Sequence, residues 1–215
     1  MNYSELSAAI QSYTENQFPD TYLADGSIVT SKTQIDLFIQ QAEQRIYNSV
    51  QFPTLRKNVT GSVTANNKYL ACPDDFLAPY SIAIILADGA YEYLLNKDVN
   101  MIRQAYPKPT STGTPQYYAL FGPQSSALKE LTFILGPTPD ASYGVELHYF
   151  YYPESIVTAL TTWLSDNFDS VLLYGSLVEA YTYMKGEADM VTLYNTKYNE
   201  ALALAKRLGD GMERQ

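Results

Sequence analysis

The residue types that could do chemistry are few in this chain, and their spacing suits chemistry poorly. His148 is the single histidine and Cys72 the single cysteine. A Ser-His-Asp triad would have to use His148. That residue sits in the alternating run Val145-Glu146-Leu147-His148-Tyr149, which puts it on one strand face with Glu146 and Phe150. A strand-surface histidine is the expectation. One histidine and one cysteine cannot supply a zinc site, and Cys72, with no helix N-terminus or adjacent base, reads as a small buried residue. Asp74-Asp75 after Pro73 could be a carboxylate pair, but sequence neighbours point apart, and a capped turn leading into Phe76 is the plainer reading. Asp20 and Asp25 lack the spacing of an EF-hand. Ser126-Ala127-Leu128-Lys129 fits an SxxK pattern short enough to arise by chance, and no glycine-rich phosphate loop follows a strand. No metal, no cofactor and no enzymatic activity are expected. The acid that stands out is Glu179, set in an otherwise apolar helix. Burying it alone would be costly, so it needs a partner. An ion pair or hydrogen bond at a subunit interface fits, as does exposure on a rim.

The elements that would position these residues are legible from hydrophobic period. Ser165 to Leu208 reads as a helical hairpin. Ser165, Asp166 and Asn167 are capping types and Asp169 suits a first turn. The run from Val171 to Val178 is apolar almost all round, as in a helix buried on most sides. Lys185-Gly186 reads as a stop. Val191, Tyr194, Tyr198, Ala201, Leu202, Ala205 and Leu208 then form one stripe, ending with Lys206, Arg207 and Gly209. The short turn predicts antiparallel packing, and the tail from Asp210 to Gln215 reads as polar and mobile. At the other end, Tyr3, Leu6, Ile10 and Tyr13 predict a helix over 3–16. Asp20 to Thr30 reads as a loop with an Asp25-Gly26 turn. A second helix is expected from Ser31, with Gln34 completing a capping box, its face made by Ile35, Phe38, Ile39, Ala42, Ile46 and Val50.

Between these helices the period changes to that of strands. Seven are expected: Leu55–Thr64, Lys68–Ala71 returning as its hairpin partner, Ser81–Leu86, Tyr91–Leu95 across an Asp88-Gly89 turn, Gln116–Phe121, Leu131–Leu135 and Val145–Tyr152. Asn96 or Asp98 could cap a short helix reaching Tyr106, and Pro107, Pro109, Gly113 and Pro115 make a stiff extended loop. The fold class expected is α+β. A helical part, residues 1–53 completed by 154–215, carries an inserted antiparallel β-sandwich or open barrel, residues 54–153. Trp163 is expected to plug the junction.

Composition excludes several roles. The chain has 215 residues and a formal charge of -9 at pH 7. Duplex DNA would be repelled, since non-specific binding rests on lysine and arginine neutralising phosphates. No run of 18 apolar residues suggests a membrane span. The N-terminus lacks a basic head and an apolar core, so cytoplasmic folding is the natural reading. There are 20 tyrosines with only 17% charged residues. That balance fits surfaces buried against partners and fits a tyrosine-rich β core equally well.

Three blocks, taken together, resemble a known family. The first is Gln41-Ala42-Glu43-Gln44-Arg45-Ile46-Tyr47 leading into Pro53-Thr54-Leu55-Arg56-Lys57-Asn58-Val59-Thr60-Gly61. The second is Phe133-Ile134-Leu135-Gly136-Pro137-Thr138-Pro139 followed by the aromatic run Tyr149–Tyr152. The third is Leu173-Tyr174-Gly175-Ser176-Leu177-Val178-Glu179-Ala180-Tyr181 through Met184-Lys185-Gly186-Glu187. Their order over nearly the whole chain resembles the head-to-tail adaptor, or connector, proteins of short-tailed bacteriophages. The resemblance implies a structural virion protein of the neck, made in the host cytoplasm. It implies a ring of this chain, expected to be twelvefold, between the portal protein and the tail nozzle or fibre proteins. Genomic DNA would pass through the ring without specific binding. Glu179 and Tyr181, and the tail residues Gly209, Asp210, Gly211, Met212, Glu213 and Arg214, are then the candidate interface, the tail ordering in a portal crevice. The loops Asp20–Thr30 and Gln124–Glu130 are the least familiar stretches.

Two other readings stay open on the residues alone. One is a hydrolase or lyase with its site in the β region, using Asp74, Asp75, Glu146 or Glu154 in a deep pocket with carboxylates about 5 to 9.5 Å apart. The other is a glycan- or peptide-binding module whose tyrosine-rich strands form a stacking platform.

Overall fold

The computed structural model describes residues 1–122 and 131–213. In chain order the elements are α1 (Tyr3–Thr14), β1 (Thr21–Tyr22), β2 (Ile28–Val29), α2 (Ser31–Ser49), β3 (Arg56–Val63), β4 (Tyr69–Ala71), β5 (Ala78–Ile85), β6 (Tyr91–Tyr93), β7 (Leu95–Asn96), α3 (Val99–Ala105), β8 (Thr112–Gly113), β9 (Tyr117–Phe121), β10 (Thr132–Gly136), β11 (Thr138–Pro139), β12 (Tyr143–Phe150), α4 (Ile156–Ala159), α5 (Trp163–Asn167), α6 (Asp169–Tyr183) and α7 (Ala188–Glu213). The fold is α+β, as the changes of period predict. It divides into two compact units, Met1–Leu55 with Tyr152–Gln215, and Arg56–Tyr151.

The helical unit is built on α6. Val171, Leu172, Gly175, Ser176, Leu177, Val178 and Ala180 are all buried in it, which is what an apolar circumference requires. Helices α1, α2, α5 and α7 pack against α6. Gly175 allows close approach: a Cβ there would stand 3.2 Å from the Ala42 side chain and 3.3 Å from the Tyr198 ring. Tyr181 meets Tyr194 with ring centroids 5.0 Å apart. With Gly175 against Tyr198, that register makes α6 and α7 antiparallel. Phe52 packs on Trp163 at 5.1 Å and on Phe168 at 5.6 Å, so Trp163 belongs to an aromatic cluster of this unit.

Several helix ends differ from the sequence reading. Ser165, Asp166 and Asn167 do not cap α6. They form the separate short helix α5, where Thr162 and Ser165 make the capping box, and Phe168 breaks the chain before α6 starts without a side-chain cap. The cap of α2 is Thr30, whose hydroxyl accepts from the Thr33 amide. Gln34 is buried instead, its amide donating to the Pro19 carbonyl at 3.1 Å. Residues 20–30 are no mere loop: β1 and β2 pair antiparallel around a turn that places Gly26 at φ +83°. At the end of α6, Gly186 N–H donates to the Tyr181 carbonyl and Lys185 N–H to that of Thr182. This is the doubly bonded end common where a left-handed residue closes a helix. Lys185, at φ 53°, takes the left-handed position.

The β unit is a two-sheet sandwich. One sheet runs β3-β12-β5-β6 and is antiparallel throughout; the other runs β4-β10-β9-β7. Val145, Leu147 and Tyr149 alternate inward from β12 to meet Phe133 and Leu135 of β10, the period of two that half-buried strands show. The insert is an antiparallel sandwich as expected, with two short parallel pairings added, β7 with β9 and β8 with β11. The expected hairpin of the first two strands is corrected. All eight residues of β3 pair with β12, while three-residue β4 joins β10 in the other sheet. The long ladder satisfies far more backbone groups than the short one could. Asp98 caps α3, accepting from the Asn100 amide at 2.8 Å.

Candidate assembly surfaces

Glu179 finds its partner within its own chain: Arg45 Nη2 of α2 donates to Glu179 Oε1 of α6. The glutamate side chain is 13% exposed and the arginine 41%. The guanidinium also lies 5.8 Å from the centre of the Tyr198 ring, so one cation touches α2, α6 and α7. Burial raises the Tyr198 hydroxyl above the usual phenol range, and that hydroxyl has no hydrogen-bond partner among the described residues. Tyr181 likewise turns inward along its own chain, donating to the Tyr13 carbonyl at 3.0 Å.

The tail differs from the sequence reading. Helix α7 does not stop at Gly209 but runs to Glu213. Gly209 is buried, and a Cβ on it would stand 3.1 Å from the Gln51 carbonyl oxygen. The glycine is there for close approach to the Val50 side chain and the Gln51 backbone. The inward stripe is therefore Tyr194, Tyr198, Leu202, Ala205 and Gly209, while Leu208 is 47% exposed. Asp210, Gly211, Met212 and Glu213 have helical backbone, Arg214 lies outside the described residues, and so do the SxxK run and the 124–130 loop.

A buried acid escaped the sequence reading. Glu43 is 3% exposed and accepts from the Ile156 amide at 2.9 Å at the start of α4. Burial raises its carboxyl above the ordinary glutamate range, against the opposing hydrogen bonds from Ile156 and Ser155. The signal was present: Glu43 occupies the apolar stripe of α2 between Ile39 and Ile46, the same anomaly that marks Glu179.

Of the candidate catalytic acids, Asp74, Asp75 and Glu146 lie in the β unit, where they do not assemble into a site, and Glu154 lies in the helical unit. Asp75 Oδ2 accepts from Lys57 at 2.7 Å and Oδ1 from the Tyr149 hydroxyl at 2.7 Å. Burial pushes the Asp75 carboxyl up, but those two bonds outweigh it and hold the group below the usual range. Glu146 accepts from the Asn58 amide at 3.1 Å and lies 3.6 Å from His148, which stands on the outer strand face. Asp74 and Glu154 are exposed. The apolar groove between β3 and β4, about 240 Å³, is lined by Val59, Leu70, Cys72, Val145, Leu147 and their neighbours, with no acid among them. Cys72 is a buried free thiol that burial pushes up to about 12. Among the described residues no group of three or more histidines, cysteines and acids could hold a metal ion, and no helix is long and apolar enough to cross a membrane.

What remains conspicuous is apolar surface. A cleft of about 490 Å³ opens between the β1–β2 hairpin, α2 and Tyr183, lined by Leu23, Val29, Leu37 and Phe38 among others. Leu23, Leu37 and Tyr183 in its lining are each about half exposed. Leu193, Leu204 and Leu208 of α7 are exposed too. Exposed apolar patches of this kind mark surfaces that meet other molecules.

The family model for the SU10 adaptor protein matches residues 1–215, the whole chain. The chain belongs to the SU10 adaptor protein family. It is thus a bacteriophage structural adaptor, and its family is not one of enzymes. An SU10 adaptor associates with other phage head and tail proteins, which points to the virion as its place. No curated protein matches the chain.

Proposed function

We propose that this adaptor forms a ring, twelvefold by the family resemblance, between the portal of the capsid and the tail nozzle, with the genome passing through its centre. The observation that carries the reading is the adaptor-family match over all 215 residues. Two properties support it. The chain has a formal charge of -9, and an acidic channel wall repels phosphates and lets DNA slide. Its exposed apolar residues lie on different surfaces, as subunits joined head to tail require. In this reading the C-terminal residues 209–215 engage the portal.

The test is the mass of the purified protein alone and mixed with the portal protein of the same phage. A change from 24.1 kDa to a portal-bound ring supports the reading. A monomer indifferent to the portal overturns it. Removing residues 210–215 should weaken portal binding while the fold persists; undiminished binding would exclude the tail from that contact.

A further inference from the structure

Helix α7 carries two apolar stripes, and only one is used inside the chain. Tyr194, Tyr198, Leu202, Ala205 and Gly209 face α6 and α2. Turned away by about a quarter of the circumference are Met190, Leu193, Ala201, Leu204 and Leu208, with Lys197 the one charged member of a row spaced by three and four residues. That spacing makes a seam of the kind helices use against a partner. It faces solvent: Leu193 is 47%, Leu204 63% and Leu208 47% exposed.

The same unit offers a surface of matching character. The cleft between the β1–β2 hairpin, α2 and Tyr183 is apolar, about 490 Å³ in volume and open to solvent. Charge complements it. Residues 18–37, which form the hairpin and α2 walls, carry Asp20, Asp25 and Asp36 against the single cation Lys32, itself paired with Asp36, while residues 193–208 carry Lys197, Lys206 and Arg207 against the single acid Glu200. An acidic rim around an apolar cleft thus answers a basic border around an apolar seam.

We propose that the α7 seam of one copy seats in the α2–hairpin cleft of the next. The two surfaces are different, so the contact is heterologous, and repetition produces a ring or filament, not a closed pair. The inference rests on the ring reading and names the surfaces that make it.

Cysteine pairing tests it. Leu204→Cys and Leu37→Cys are placed singly in a Cys72→Ala background, and the two proteins are mixed with the portal and treated with a short bis-maleimide. Covalent pairs in the mixture and none in either variant alone are expected. A ring of full mass without covalent pairs overturns the interface and leaves the ring standing. Absence of any ring from wild-type protein removes both. Leu204→Glu and Leu37→Glu provide the second measurement. Both positions are exposed, so each variant should melt as wild type yet fail to form rings alone. Mixed, they share one intact contact and should give pairs and nothing larger. A ring of normal mass from either variant alone would defeat the proposal.

Discussion

Arg45 and Glu179 form an ion pair between α2 and α6, with the less exposed member on the central helix. The pair lies between the surface case, worth about 0–1 kcal/mol, and the fully buried one, whose breaking costs about 3–5 kcal/mol. Removing Arg45 strands the glutamate, which is the harder charge to hydrate. Arg45→Ala should therefore destabilise by about 2 kcal/mol and Glu179→Ala by about 1 kcal/mol. Urea titrations of the two variants check the order; equal or reversed losses would place the pair in bulk-like solvent.

Two glycines near the end of α7 should respond with opposite signs. An alanine at Gly211 meets nothing within 4 Å and gains helix propensity of about 1 kcal/mol. An alanine at Gly209 meets the Gln51 carbonyl oxygen at 3.1 Å, and that backbone has little room to yield. Gly211→Ala is expected to raise the melting temperature and Gly209→Ala to lower it. No effect from either would mean that the helix ends before them.

Glu43 makes stability depend on pH. Its folded-state carboxyl is raised above the ordinary range, chiefly by burial. The stability it contributes is thus complete below the unfolded value of about 4.3 and is lost as pH rises through the folded value. Glu43→Gln keeps an acceptor for the Ile156 amide and removes the titration. The wild type should lose stability relative to this variant between about pH 4.3 and neutrality. Chemical denaturation of both proteins across that interval measures the difference, and parallel curves would contradict it.

Cys72 should be inert in the folded protein. Its thiol is buried and pushed up to about 12, whereas thiol reagents attack the thiolate. At pH 8 the native protein should react far more slowly than protein in denaturant. Equal rates under the two conditions would put Cys72 in solvent.

The α+β division and the strand positions of the middle region are legible in the sequence because periods of two and 3.6 differ sharply there. Strand partners are not, since β3 joins β12 across more than eighty residues and nothing local announces it. Caps slipped by one residue at α2 because Thr30 and Ser31 are both good caps, and only the Asp20 and Gln17 contacts of Ser31 decide between them. Gly209 misled because glycine signals equally a helix end and a close helix contact. Glu179 was readable as an acid in need of a partner, but Arg45 lies 134 residues away. The cleft could not be read at all, since its walls come from α2, a two-residue-per-strand hairpin and the last turn of α6.

The interleaving of the two units bears on how the chain comes together. The helical unit is interrupted by the residues 56–151, so α2 must wait for α6 to be synthesised. At about 5–20 residues per second the insert alone takes on the order of 5–20 s to emerge. As an unfolded tether of that length it would oppose closure by about 4 kcal/mol of chain entropy. Folded, it does the reverse. Its first and last strands lie side by side, with Arg56 opposite Phe150, so the chain leaves and returns at neighbouring points. The β unit, once formed, turns a long tether into a clasp, and the two halves of the helical unit meet as though joined by a short turn.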